Sequence, residues 1–398
     1  MMGQGAMNAE INEWATREFA SLKLRDKRLE KRLKITMSVD YNSHKKTKGL
    51  GYCCGQTLGI NVHSCLYVMP EGVPISLAAQ SYITREEPSS ELSAAQKRQR
   101  PIEEKESYRW LKTMAETASN APANATLVHI ADREGDIYEL FALAQATGEK
   151  FVIRVVHDRL DTDGKRIISS LRTSEPIGYI KATIPADHSK RLKEREALLS
   201  VQIRTVDMKK PQNRENDEKL ASSLHLTVIR VFEANPPPGV KPIEWLLTTN
   251  LSTNTTKDVM EVVGYYKLRW KIERFHFVLK SGCDIEGIQQ RSVDGIEMMI
   301  LLYSFISIQI MMLTFMSRAY PEMSCNLIFS ESEWKTLFRA ANKTRQAPDQ
   351  AYSLADAVKY VATLGGFVGA PSDGPPGLKV IWIGIMNLYL LNAYREFI

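Results

Sequence analysis

The sequence has few of the residues that common catalytic centres need. Its five cysteines, Cys53, Cys54, Cys65, Cys283 and Cys325, form no CxxC pair and no zinc-ligand spacing. Their odd number in a chain of 398 residues predicts free thiols and a reducing cytoplasm rather than a disulfide framework. The seven histidines include no HxxxH pair, and there is no P-loop, GxGxxG or GxSxG. These absences argue against a zinc hydrolase, a nucleotide-cradling loop and a nucleophile elbow. No charged-then-apolar leader opens the sequence, so no signal peptide is expected. The one long apolar run, Met298–Met316, is interrupted by Ser304, Ser307, Gln309 and Thr314. It is expected to be a buried core helix rather than a bilayer span, with no membrane partner.

What remains is a globular composition, 44% hydrophobic, sufficient for one large core and a second, smaller one. The excess of 52 basic over 46 acidic side chains, +6 in all, favours a polyanionic partner only where the cations cluster. Along the chain, residues 8–34 have the apolar spacing of a short helix pair and carry the basic residues Arg25, Lys27 and Arg28. At Ile35 the period changes to two, predicting a strand through Val39 that runs into Asp40. The basic loop with Lys45, Lys46 and Lys48 follows. After it come strands at Ile60–Met69 and Val73–Gln80, joined by the turn Pro70-Glu71-Gly72. A charged connection leads into a helix near Trp110, a strand Thr126–Ala131 ending on Asp132, a helix Asp136–Ala146 and a strand Phe151–Val156. This order predicts an α/β fold with a mixed sheet flanked by helices. Residues 158–255 resemble a β-rich insertion with long polar loops, and the tail ends in an apolar helix, Ile381–Tyr394, that needs a partner.

Two stretches concentrate candidate chemistry. In Tyr265–Lys280, a helical pattern places Tyr266, Arg269, Glu273 and Lys280 within about 60° of one another around the axis. Ile272, Phe275 and Leu279 form an opposing apolar stripe. The plain alternative is a surface helix with an Arg269–Glu273 ion pair. Asp132 stands in ADREGD at a strand end, either capping the loop or serving as a carboxylate ligand. Carboxylates without a His or Cys cluster suit Mg²⁺ or Mn²⁺ and phosphodiester displacement.

The spacing Y-x2-R-x3-E-x6-K, filled by Tyr266, Arg269, Glu273 and Lys280 in the context YYKLRWKIERFH, resembles the signature of bacterial cut-and-paste DDE transposases of the YREK subgroup. VHIADREGDIYE resembles that family's segment around its second catalytic Asp. EWATREF, DKRLEKRL, HKKTKGLGY, EEKESYRWL, FVIRVVHDR and LGGFVGAPSDGPPG continue the match in order along nearly the whole chain. The resemblance implies an RNase H-like core of the retroviral integrase superfamily, binding to the ends of an insertion sequence as a homodimer, and Mg²⁺- or Mn²⁺-dependent endonuclease and strand-transfer activity in DNA transposition and recombination. It implies double-stranded DNA as partner (transposon ends and target) and a nucleoid-associated location in the cytoplasm. It divides the chain into 1–34, a remnant of a helical DNA-binding domain; 35–157, the first part of the core; 158–255, the insertion; 256–320, the last core helices; and 321–398, a helical dimerisation region.

By the same resemblance Asp132 and Glu273 are catalytic residues and metal ligands. Arg269 and Lys280 hold a phosphate of the cut strand, Tyr266 donates its hydroxyl or stacks, and Trp270 wedges beside a displaced base. One position departs from the pattern: where the first catalytic Asp belongs, this sequence has Ile35. Loss of a segment between residue 34 and the first core strand accounts for it. Asp40 is the nearby acid, but it lies up to roughly 16 Å further along an extended strand and an odd number of positions away, on the other face. The expectation is therefore a transposase, with a catalytically inactive remnant that binds only DNA or intact copies as the alternative.

Overall fold

The computed structural model describes residues 30–43, 46–85, 93, 96, 99–120, 125–184, 193–370 and 374–395. The helix pair expected in the first thirty residues, with Arg25, Lys27 and Arg28, lies outside the described residues, as does Lys45. In chain order the elements are β1 (Glu30–Asp40), β2 (Gly51–Cys54), β3 (Thr57–Val68), β4 (Pro74–Ile83), α1 (Tyr108–Ser119), β5 (Leu127–Ala131), α2 (Tyr138–Thr147), β6 (Lys150–Arg154), α3 (Ile167–Arg172) and β7 (Gly178–Ile184). They continue with β8 (Arg195–Lys209), β9 (Ser223–Glu233), β10 (Glu244–Thr249), α4 (Thr256–Lys267), α5 (Trp270–Phe277), α6 (Val293–Ala319), α7 (Glu331–Asn342), α8 (Leu354–Leu364) and α9 (Leu378–Arg395).

The fold is mixed α/β with a helical C-terminal region, and it divides into two compact units. The first holds Thr36–Pro88 and Trp270–Ile398; the second holds Lys31–Ile35 and Ser89–Arg269.

In the first unit β3 is the central strand. It pairs antiparallel with β2 at one end and β4 along the rest of the same edge, with β1 as its other neighbour. The β3–β4 hairpin closes as the sequence predicts: Gly72 adopts φ +83°, and Met69 and Val73 are bridged by a 2.9 Å backbone hydrogen bond. A side chain at that φ would be strained, so glycine is required there. The strand at the start is longer than expected. β1 begins at Glu30, so residues 30–34 extend a strand instead of ending a helix. Helix-compatible charge in that stretch is overridden by sheet pairing, the usual reason a local preference loses.

Helix α6 passes beneath β4 and packs on α8 and α9. By length and composition it is apolar enough to cross a membrane, yet half of its most apolar window is buried inside this unit. Its interior hydroxyls are all bonded: Ser304 Oγ accepts from Gln80 Nε2 at 3.0 Å and donates to Ile300 O at 2.8 Å, and Thr314 Oγ1 donates to Ile310 O at 2.7 Å. Burying a hydroxyl is costly only when it lacks such a partner, so this pattern fits the expected core helix. The tail helices lock through two glycines. A Cβ at Gly384 would lie 1.9 Å from Val361 O, and one at Gly365 would lie 2.0 Å from Val380 O. Helices α8 and α9 therefore touch backbone to backbone.

In the second unit the strand order is β5-β6-β10-β9-β8-β7. β5 and β6 are parallel and joined through α2, whereas β10 joins β6 antiparallel and β9, β8 and β7 continue as an antiparallel meander. The β-rich texture read in residues 158–255 corresponds to β7–β10; the short helix α3 within it was not anticipated. Trp110, Phe141, Phe151, Ile153 and Val228 share one core, with Phe141 and Phe151 stacked at 5.2 Å.

Candidate functional site

The stretch expected to be one helix from Tyr265 to Lys280 is interrupted twice. Thr255 and Asp258 form a capping box that starts α4, which ends at Lys267. The amides of Leu268 and Arg269 then donate to the carbonyls three residues back, Tyr265 and Tyr266, at 3.1 and 3.0 Å. This tightens the turn before α5 opens at Trp270. After Phe277 the chain widens into a π turn, Val278–Gly282, closed by Cys283 N to Val278 O at 2.9 Å. A tight turn followed by a wide one departs from the ideal helix for which the single face was computed. The boundary between the two units falls between Arg269 and Trp270. The apolar stripe does survive: Ile272, Phe275 and Leu279 are each fully buried in the first unit.

In the second unit, Tyr266 is buried, its ring edge-to-face with Trp245 at 5.8 Å, and the Arg269 guanidinium lies 5.8 Å from the phenol ring centroid. Burial pushes the Tyr266 phenol above its ordinary value, while the Arg269 and Arg154 cations oppose that shift. The phenol is thus neutral among cations, and Arg269 is the more accessible of the two. In the first unit, Trp270 is 63% exposed and Glu273 is half-buried in the opening turn of α5. Lys280 lies in the π turn and pairs with Glu286 at 2.8 Å. Burial and the nearby Lys280 cation pull His276 down to about 3, so its imidazole is neutral at pH 7.

Asp132 follows β5 directly, as read from the sequence, in the second unit. Its Oδ1 accepts from Glu134 N at 2.9 Å, so Asp132 caps its own turn. Asp136, four positions on in the same polar turn, is wholly structural. Its Oδ2 accepts from Val156 N and His157 N at 2.8 and 2.9 Å, and its Oδ1 accepts from Arg159 Nη1. The sequence singled out Asp132 at the strand end but did not show that Asp136 is structural. Their difference comes from the loop after β6, which reaches back to Asp136.

Asp40 ends β1 in the first unit. Met37 and Val39 are buried while Ser38 and Asp40 face outward, which is the alternation expected of a strand. The Asp40 amide donates to Glu286 Oε1 at 3.2 Å, and its Oδ1 accepts from Asn42 N at 2.8 Å. Asp40, Asn42, Ser43 and Glu286 line a shallow open cleft. Glu286 was missed from the sequence because its link to Lys280 follows no helical period; the π turn and the short turn at Ile285–Gly287 create it. Lys46 and Lys48 are exposed, and the loop that carries them is tied down by Lys48 N to Arg291 O and Val293 N to Lys48 O at 3.0 and 2.9 Å.

A hard divalent cation needs several oxygen donors converging at short range. Among the described residues no three His, Cys, Asp or Glu side chains gather in a way that would hold one. Asp132 and Asp40 each commit one carboxylate oxygen to a local backbone amide.

Against known proteins, residues 305–395, from the second half of α6 to the end of α9, match the family described as the Transposase Tn5 dimerisation domain. Among solved structures the chain is similar to the piggyBac transposase in a cryo-EM synaptic complex with hairpin DNA, at 8% identity and a TM-score of 0.36. That alignment covers 92% of this chain and 54% of the piggyBac chain, so this chain spans about half of that protein's length. The likeness is too distant to carry an argument about fold or site.

Proposed function

We propose that this chain is a DNA transposase that binds transposon ends as a homodimer. The observation that carries the proposal is the dimerisation-domain match over residues 305–395, on helices whose outer surface is apolar. On α9, Ile383, Met386, Tyr389, Leu390 and Tyr394 are each at least 40% exposed. A helix that is apolar all round gains free energy by covering such a face with another protein surface. The YREK spacing, the RNase H-like core and the DDE chemistry extend this reading. In it Asp132 and Glu273 are the catalytic carboxylates and would be ligands for Mg²⁺ or Mn²⁺, and Arg269, Lys280, Tyr266 and Trp270 face the cut strand. A second reading is a non-cutting remnant that binds DNA or intact copies: Ile35 stands where the resemblance expects the first catalytic Asp.

Incubating the chain with a duplex carrying a cognate transposon end in Mg²⁺ or Mn²⁺ separates the two readings. Cleavage that disappears in both Glu273→Ala and Asp40→Ala establishes the enzyme with Asp40 as replacement ligand. Duplex binding without cleavage establishes the remnant. Absence of any duplex binding refutes the enzyme and the DNA-binding form of the remnant.

A further inference from the structure

Several arginines are neutralised by carboxylates. In the second unit Arg214 pairs with Glu139 at 2.6 Å, Arg204 with Asp161 at 3.1 Å and Arg230 with Glu244 at 2.7 Å. One group in the first unit is different. Lys271 and Arg274 stand on α5 one turn apart, and Arg318 projects from the last turn of α6. Lys271 Nζ lies 3.3 Å from the centroid of the Phe315 ring, and the Arg318 guanidinium lies 5.5 Å from the same centroid. Arg318 also donates from Nη2 to Pro376 O at 3.2 Å, which anchors it at the start of α9. Among the described residues, none of the three makes an ion pair with a carboxylate.

The cations are close enough to oppose one another. Lys271 and Arg318 share the Phe315 ring, and Arg274 lies one turn from Lys271 on α5. Holding three like charges close together is unfavourable in the free chain and favourable once an anion enters. The surroundings indicate which anion. Trp270 and Phe277, on α5 with Arg274 between them, are 63% and 46% exposed. Exposed aromatic rings interleaved with uncompensated cations suit a nucleic-acid strand, with phosphates on the cations and bases on the rings.

We propose that Lys271 and Arg318, which share the Phe315 ring, form with the neighbouring Arg274 a phosphodiester-binding site, distinct from the Tyr266, Arg269 and Lys280 set, which clamps the backbone of bound DNA. This rests on the DNA-binding reading above. Each phosphate contact contributes about 0.9 to the slope of log binding constant against log salt. Duplex binding by the full chain is therefore measured by fluorescence anisotropy across a salt series. The variants are Arg274→Gln and the triple Lys271→Gln, Arg274→Gln, Arg318→Gln, with Lys359→Gln as an exposed control and circular dichroism verifying that each is folded. The expected result is a slope flatter by roughly 1 for Arg274→Gln and by roughly 2–3 for the triple, with the control unchanged. Arg274 is exposed, so its variant remains informative if the triple fails to fold. Wild-type binding with an unaltered slope in Arg274→Gln overturns the site and leaves the DNA-binding reading intact. Failure of the wild type to bind any duplex overturns both.

Discussion

Replacing Lys271 by methionine is expected to make the protein more stable near neutral pH. Lys271 protonates at about 8 in the folded chain against 10.5 for an unhindered lysine. Between those values the unfolded chain binds more protons than the folded one, so stability rises with pH through that window. Below pH 8 the folded state carries the whole penalty of a charged amine beside Arg274 and Arg318; above 10.5 it carries none. A shift of this size corresponds to at most about 3–4 kcal/mol. The amine is partly open to solvent, and screening reduces that to roughly 1–2 kcal/mol. The lost cation contact with Phe315 is worth about 0.5–1 kcal/mol, and a methionine sulfur against the ring restores a similar amount. The variant should thus exceed wild type by about 1–2 kcal/mol at pH 7, with the gap closing by pH 10.5. Urea midpoints followed by tryptophan fluorescence at constant ionic strength, from pH 6 to 10.5, measure this. A variant less stable than wild type at pH 7, or a gap that does not change with pH, would refute the account of the cation cluster.

Gly384→Ala should destabilise the C-terminal helices by about 1–3 kcal/mol, because its methyl group meets the Val361 carbonyl; thermal unfolding measures the loss. Asp136→Ala should cost about 3–5 kcal/mol, since it strips Arg159 of its buried partner and frees two amides of the loop after β6, and the same assay applies. Leu390→Glu with Tyr394→Glu should leave the unfolding midpoint nearly unchanged yet yield monomers in light scattering. A dimer that persists would place the interface elsewhere than the outer face of α9.

Much of the fold was legible from local chemistry. Pro70-Glu71-Gly72 marked the hairpin because a turn with positive φ demands glycine. The short apolar run before Asp132 marked β5, and the period of Ile272, Phe275 and Leu279 marked the buried side of α5 and the π turn. The hydroxyls in Met298–Met316 separated a core helix from a plain hydrocarbon run, since each finds a partner inside the unit. The start of β1 at Glu30 was not legible. Glu, Lys and Arg favour helix in isolation, and only pairing with a neighbouring strand reverses that preference.

By itself the sequence determined which side chains are apolar at which period, where the chain must turn, and that Tyr266, Arg269, Glu273 and Lys280 recur at a set spacing; these are properties of neighbours along the chain. The two interruptions of the helix carrying that spacing were decided by tertiary structure. The choice among hydrogen bonds three, four or five residues back costs little locally and is settled by packing against the rest of the unit. The same holds for charge. Asp132 and Asp136 look alike in ADREGD, but only the second is held by Arg159 and two distant amides. Lys271 and Arg318 look like ordinary surface cations until α5 and α6 bring them to one ring. Electrostatic environment depends on distance in space, and that distance is set only when the chain has folded.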